Sequence, residues 1–246
     1  MLRITLVCLF SVTCLGAQNT SQVYSTASRP RALALIGDRY HSPVYIREGL
    51  ASAFLKENIP VTFIEDTAAL TPTAIREHQL LIILRDGMNW PEGYGKPYVR
   101  WMSDEQQRAI VNFVNQGGAF LPLHNATAIY PPGGPYYDLL GGEFLRHPKP
   151  YVFTVRVENK DHPITAGVED FQVFDEHHFI KYALGRENVL LRHIAPDNSE
   201  SVGGWWRESG KGRMCFFSIG HSPEAIGHPM YQRLLRNAIN WTLRLK

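Results

Sequence analysis

Residues 31–41 read RALALIGDRYH, a short apolar run ending in Gly and followed at once by Asp38, Arg39, Tyr40 and His41. An apolar run of this length without polar alternation suits a strand buried on both faces, and such strands belong to parallel sheets covered by helices. Outward from it, residues 44–57 carry Ile46, Leu50 and Phe54 at helical spacing and stop at Pro60, which predicts a helix. Residues 61–64 and 80–84 read as further strands, with a short helix over 71–78 between them. A fourth strand at 119–123 follows a helix opened by Ser103-Asp104-Glu105-Gln106 and closed by Gly117-Gly118, the first a capping pattern and the second a stop signal. This alternation predicts an α/β fold, a doubly wound and mostly parallel sheet with helices on both faces. Residues 88–101, rich in Trp, Tyr, Gly and Pro, are expected to form a long loop. Later strands are expected at 151–158, 189–193, 203–206 and 213–219, and an amphipathic helix over 230–245 closes the chain. No internal repeat or domain boundary is evident, so residues 31–246 are expected to form one domain.

The chain has 246 residues, of which 44% are hydrophobic and 20% charged, an ordinary globular balance that excludes extensive disorder. Its 25 Lys and Arg against 23 Asp and Glu give a net charge of +2; nucleic acid is therefore not an expected partner. Residues 1–17 combine Arg3, an apolar stretch over 4–15 and the small pair Gly16-Ala17. That is the layout of a signal peptide too short to span a bilayer securely, so export to the periplasm or beyond is expected, with no membrane attachment after cleavage. Residues 18–30 are polar and read as a flexible linker. Cleavage after Ala17 removes Cys8 and Cys14 and leaves Cys215 inside an apolar run, a core residue with no disulfide partner.

Ligands of open α/β sheets bind outside the carboxyl ends of the strands. The first strand is followed by Asp38 and His41, the third by Asp86 and then Trp90 and Tyr94, the fourth by His124-Asn125, and the last by Gly220-His221. Three imidazoles at one sheet edge suit acid–base chemistry or metal ligation. No Ser or Cys flanked by glycines stands at the fourth strand end, which disfavours a nucleophile elbow. Residues 174–179, FDEHHF, pack two carboxylates and two imidazoles together. Neighbouring His side chains diverge, and the His-Glu-x-x-His spacing is absent, so a ligand cluster and a structural turn with one member inward both remain open; Glu176 is the member expected to face the site. The catalytic candidates are His124, Glu176 and His221. Asp38, His41, Asp86, Trp90, Tyr94, Asn125 and His147 are the candidates for substrate binding. If a divalent metal takes part, His41, His124, Glu176 and His221 are its candidate ligands, and imidazoles favour zinc or a similar ion; no other cofactor is indicated.

Taken in order, Gly37-Asp38-x-Tyr40-His41, Gly117-Gly118-Ala119-Phe120-x-Pro122-Leu123-His124-x-Ala126-Thr127, Tyr137-x-Leu139-Leu140-Gly141-Gly142 and Phe144-x-x-His147-Pro148 resemble the ThuA-like (trehalose-utilization) family. Asp161-His162-Pro163-Ile164, Asp175-Glu176, Gly220-His221 and Asn237-Ala238-Ile239-x-Trp241 continue the resemblance across nearly the whole chain. It implies a class I glutamine amidotransferase-like, flavodoxin-like fold without the catalytic Cys, and a role in sugar catabolism on substrates that include oxidised sugars. His177-His178-Phe179 and the 88–101 loop depart from the family pattern. The expected activity is that of a hydrolase or lyase on a carbohydrate, with a 3-oxo glycoside as the specific case. There His124 or His221 removes the proton beside the carbonyl, Glu176 protonates the departing glycosidic oxygen, and Trp90 and Tyr94 stack on the sugar. The alternative is a non-catalytic carbohydrate-binding module.

Overall fold

The computed structural model describes residues 29–245; the expected signal peptide over 1–17, and the expected linker over 18–30 apart from Arg29 and Pro30, lie outside the described residues. The strands are β1 (Ala32–Ile36), β2 (Val61–Ile64), β3 (Leu80–Leu84), β4 (Met88–Asn89), β5 (Val99–Arg100), β6 (Ala119–Pro122), β7 (Gly142–Arg146), β8 (Tyr151–Val157), β9 (Phe171–Asp175), β10 (Phe179–Tyr182), β11 (Val189–Ile194), β12 (Glu200–Ser209) and β13 (Gly212–Phe217). The helices are α1 (Pro43–Glu57), α2 (Pro72–Arg76), α3 (Asp104–Asn115), α4 (Pro135–Leu140), α5 (Pro223–Gly227) and α6 (Pro229–Thr242).

Nine strands form one sheet in the order β2-β1-β3-β6-β13-β12-β11-β8-β9. The first five are parallel, and the last four join antiparallel, each to its neighbour. Alternation in that second half turns β11 and β9 back to the direction of the parallel five. The carboxyl ends of β1, β3, β6, β13 and β9 therefore meet along one edge of the sheet.

Every side chain of β1 and β3 is buried, as the unbroken apolar runs require. Ala32, Ala34 and Ile36 face a core completed by α1, α5 and α6, while Leu33 and Leu35 face a second core completed by α3 and α4. Helix α1 buries Ile46, Leu50, Ala53 and Phe54, each large apolar side chain contributing about 1.5–3 kcal/mol. Its start is fixed by Ser42, which accepts from the Val44 N–H, and its end by Asn58 in the left-handed region at φ 56°. Helix α3 opens with the expected capping box, Ser103 and Gln106 satisfying each other's backbone N–H groups. Cys215 is fully buried on β13 in the first core, and burial pushes its thiol well up, as a structural cysteine requires.

Three features depart from expectation. The 88–101 segment is not an open loop: β4 and β5 pair antiparallel, and the Trp101 N–H donates to the Gly87 carbonyl at 3.1 Å. A two-residue ladder leaves no periodicity to read. Strand β9 alternates buried and exposed residues at the sheet edge, but its five residues run straight into the Asp175-Glu176 cluster, which hides the alternation. The β7–β10 pair forms a separate small sheet that carries His147 on the turn after β7.

Candidate active site

His124 stands just past β6 with φ of +49°, at the start of a single 3-10 turn over His124–Thr127. A non-glycine residue in that region costs about 1–3 kcal/mol and persists only where its surroundings over-determine it. Here they do. The ring is completely buried, and its Nδ1 lies 2.7 Å from the Ser218 carbonyl oxygen. A carbonyl can only accept, so Nδ1 carries the proton and Nε2 faces inward. Gly220 makes room for this arrangement, since a Cβ on it would lie 2.9 Å from the His124 Cβ.

His41 is fixed in the same way by a carboxylate. Its Nδ1 lies 2.7 Å from Asp38 Oδ1, which also accepts from the backbone N–H groups of Tyr40 and His41, while Asp38 Oδ2 accepts from Asn125 Nδ2 at 2.7 Å and the Asp86 N–H at 3.2 Å. Burial alone would raise the Asp38 carboxyl, but the hydrogen bond and charge of His41 lead the contacts that bring it down to about 2. An ionised, saturated carboxylate fixes the proton on His41 Nδ1. The Nε2 atoms of His41 and His124 then face each other at 3.0 Å, and His221 Nδ1 lies 3.1 Å from His41 Nε2. Glu176 closes the group, with Oε1 3.3 Å from His221 Nδ1 and Oε2 3.6 Å from His124 Nε2. The four donor atoms of His41, His124, Glu176 and His221 all lie within 4.8 Å of one another.

The cluster holds more lone pairs than protons. Burial would push His124 down, but the hydrogen bond with Glu176 and the charges of Asp175 and Glu176 push it up. Burial pushes His41 down and takes His221 to about 4. Glu176, which burial would raise, is held well below the usual carboxylate range by His124, His178 and His221. His124 is thus the one ring of the three whose charged form its neighbours favour.

The FDEHHF segment resolves in a way the sequence left open. Asp175, Glu176, His177 and His178 are all buried; none is solvated. Asp175 accepts from the N–H groups of Gly220 at 2.8 Å and His221 at 3.0 Å, and burial raises its carboxyl to about 6; it holds the turn that carries His221. His178 turns inward, with Nε2 3.3 Å from Glu176 Oε2 and its ring stacked on His124 at 4.3 Å. Burial drives His178 to about 3, so it is neutral. His177 turns away. The Tyr151 hydroxyl donates to its Nδ1, its Nε2 donates to Ser201 Oγ at 2.8 Å, and that hydroxyl donates to the His178 carbonyl at 2.7 Å. Sequence reasoning missed His178 as a site residue and Asp175 as the support of the His221 turn. It also missed Ser218, which acts through a main-chain carbonyl that no residue type announces.

The remaining candidates fall into two places. His147 is exposed beside the cluster; its Nδ1 donates to the Pro148 carbonyl at 2.9 Å and lies 3.5 Å from Glu176 Oε1. Asp86 adjoins Asp38, and burial together with the Asp38 charge raises its carboxyl to about 7. Trp90 and Tyr94 do not join the imidazoles; they line a neighbouring cleft of about 630 Å³ with Arg39, Glu65 and Arg85, and Gly37 and Asp38 form its boundary with the cluster.

Residues 19–242 match the family model described as ThuA, trehalose utilisation. The chain belongs to the ThuA family. Its fold is shared with a ThuA-like protein of Parabacteroides merdae (14% identity, TM-score 0.68, 88% of this chain on 90% of that one). A ThuA-like protein of Bacteroides uniformis gives 20% identity and a TM-score of 0.65, over 88% of this chain and 93% of that one. It also resembles part of a β-galactosidase from Rahnella sp. R3 (14% identity, TM-score 0.58), where 89% of this chain covers 32% of the larger one. At such identities the likeness is one of fold. No curated protein matches the chain. The ThuA assignment gives the protein a carbohydrate-related role, and the shared fold is α/β with a large central sheet.

Proposed function

We propose that this ThuA protein is an exported carbohydrate-active enzyme whose centre holds one divalent cation between His41, His124, Glu176 and His221. The observation that carries this reading is the convergence of four ligand atoms within 4.8 Å of one another. The Ser218 carbonyl and the Asp38 carboxylate fix the outer protons of His124 and His41, and their inner nitrogens meet at 3.0 Å. Oriented imidazoles backed by a carbonyl or carboxylate are the usual outer shell of a metal site. Three imidazoles and a carboxylate suit zinc or a similar ion. Such an ion, when bound, polarises a sugar carbonyl or hydroxyl oxygen.

With three imidazoles engaged, proton transfer falls to groups outside the set. Glu176, expected from the sequence to protonate the leaving oxygen, is held ionised by its imidazole neighbours and suits ligation instead. His147, exposed beside Glu176, is the group placed to exchange protons with a substrate; Asp86, raised to about 7 but buried beside Asp38, lies behind the cluster. The finer reading is a 3-oxo glycoside opened by loss of the proton at C2, next to the C3 carbonyl. The electron pair then expels the glycosidic oxygen from C1, and that oxygen takes up a proton. The family's carbohydrate role and the carbonyl-polarising character of the centre support this choice. The strand order of the parallel half, β2-β1-β3-β6-β13, supports the flavodoxin-like, doubly wound description, in which the cluster sits at the edge where ligands bind. A sugar-binding module without catalysis has no use for the convergent nitrogens.

The test is turnover of oxidised and unoxidised disaccharides by wild type, His124→Ala and Glu176→Gln, each assayed with its metal content. Activity on the oxidised sugar that falls at least 100-fold in both variants supports the assignment. Undiminished turnover in both would remove it.

A further inference from the structure

The cleft beside the cluster carries unbalanced positive charge. Arg39 and Arg85 both line it, and among the described residues neither pairs with a carboxylate. Of the acids on the same wall, Glu65 is matched by Arg47 and Asp38 is withdrawn beneath the surface, which leaves one positive charge in excess. Glu65 Oε1 lies 2.7 Å from Arg47 Nη2, and the Asp38 side chain is fully buried and saturated with donors. Arg85 is tied to the Gly37 carbonyl and to Asn89 Oδ1, so its charge is a fixed feature of the floor.

Arg39 is held differently. Its guanidinium carbon sits 5.4, 5.3 and 4.8 Å from the ring centres of Tyr40, Trp90 and Tyr94, and its Nη1 donates to the Tyr94 carbonyl at 3.1 Å. Aromatic packing and one anchor settle the group in place. Its Nε and Nη2 donors, meanwhile, reach no described partner. A neutral sugar would displace water from these donors and leave the excess positive charge without a counter-charge in the cleft. A sugar bearing an anionic group would answer them while its apolar face lay on Trp90.

We propose that the substrate entering this cleft is an anionic sugar, its carboxylate or phosphate taken by Arg39 over the fixed charge of Arg85, with Trp90 and Tyr94 as the platform for the ring. The proposal rests on the carbohydrate reading above and names the substrate class that the reading leaves open.

The experiment measures binding to the metal-loaded protein by calorimetry at low salt, with methyl β-glucuronide, glucose 6-phosphate and methyl β-glucoside as probes. Wild type is compared with Arg39→Gln and Trp90→Ala; Arg39 is exposed, so its variant keeps the fold. At least one anionic probe is expected to bind about tenfold or more tighter than the glucoside, the difference a charged hydrogen bond makes. The preference should shrink to within about threefold in Arg39→Gln, whereas Trp90→Ala weakens charged and neutral probes alike. Which anionic probe binds distinguishes a carboxylate from a phosphate. Equal binding of glucoside and both anions by wild type overturns the proposal and leaves the sugar cleft standing. Absence of binding by all three overturns both.

Discussion

Zinc affinity is expected to rise about tenfold per pH unit through the range in which His124 is protonated, and then to level off. Glu176 is ionised, and His41 and His221 are pushed down by burial, His221 to about 4. The Nδ1 protons of His41 and His124 point at Asp38 and the Ser218 carbonyl and stay in place when Nε2 binds an ion. His124 alone is raised, so one proton, the one on its Nε2, must leave for each ion bound. One proton corresponds to a slope of one in log affinity against pH, or about 1.4 kcal/mol per unit. Calorimetric titration from pH 6 to 8 in PIPES and in HEPES reads the number of protons released directly. In His124→Ala, the remaining affinity should lose its pH dependence. A slope of zero throughout would mean that His124 is not a protonated ligand. A slope of two or more would mean that His41 or His221 also starts as an imidazolium, and the assignment of protons would be wrong.

His178→Phe keeps an aromatic ring against His124 but removes the contact with Glu176; zinc affinity should fall about 10- to 100-fold with the circular dichroism spectrum unchanged. Asp38→Asn should weaken zinc binding by a similar factor, because a neutral amide orients His41 less firmly. His177→Phe is expected to leave zinc affinity alone and to lower stability by about 1–2 kcal/mol in urea unfolding, since its hydrogen bonds to Tyr151 and Ser201 serve only the turn. Gly220→Ala drives a Cβ against His124 at a position whose φ is +155°; a loss of about 1–3 kcal/mol in the same assay is expected, and no loss would show that the turn relaxes freely.

Much of this site was legible because it sits at strand ends. The runs before Asp38, Asp86 and His124 are apolar throughout, and burial on both faces leaves nothing else for such runs to be; the residues after them had to come to one edge. Residues 174–179 were harder. Strand β9 lies at the far end of the sheet and joins antiparallel to its neighbour, so only three-dimensional pairing shows that its carboxyl end points the same way as that of β6. The split between His177 and His178 depends on Tyr151 and Ser201, each more than 20 residues away in sequence. Arg39 was passed over because its significance comes from the missing acid partner and from Trp90 and Tyr94, brought near by the β4–β5 pairing. The Ser218 contact is made by the main chain, so no choice of side chain could announce it.

The proposed cation site is built by four side chains from four strand ends. Its most direct test is the zinc content of purified full-length protein after metal loading and dialysis, read by elemental analysis for wild type, His41→Ala, Glu176→Gln and His221→Ala. One zinc per chain is expected in wild type and a large loss in every variant, with the folds intact by circular dichroism. A wild-type protein that retains no zinc, or variants that retain it as well as wild type does, would contradict it.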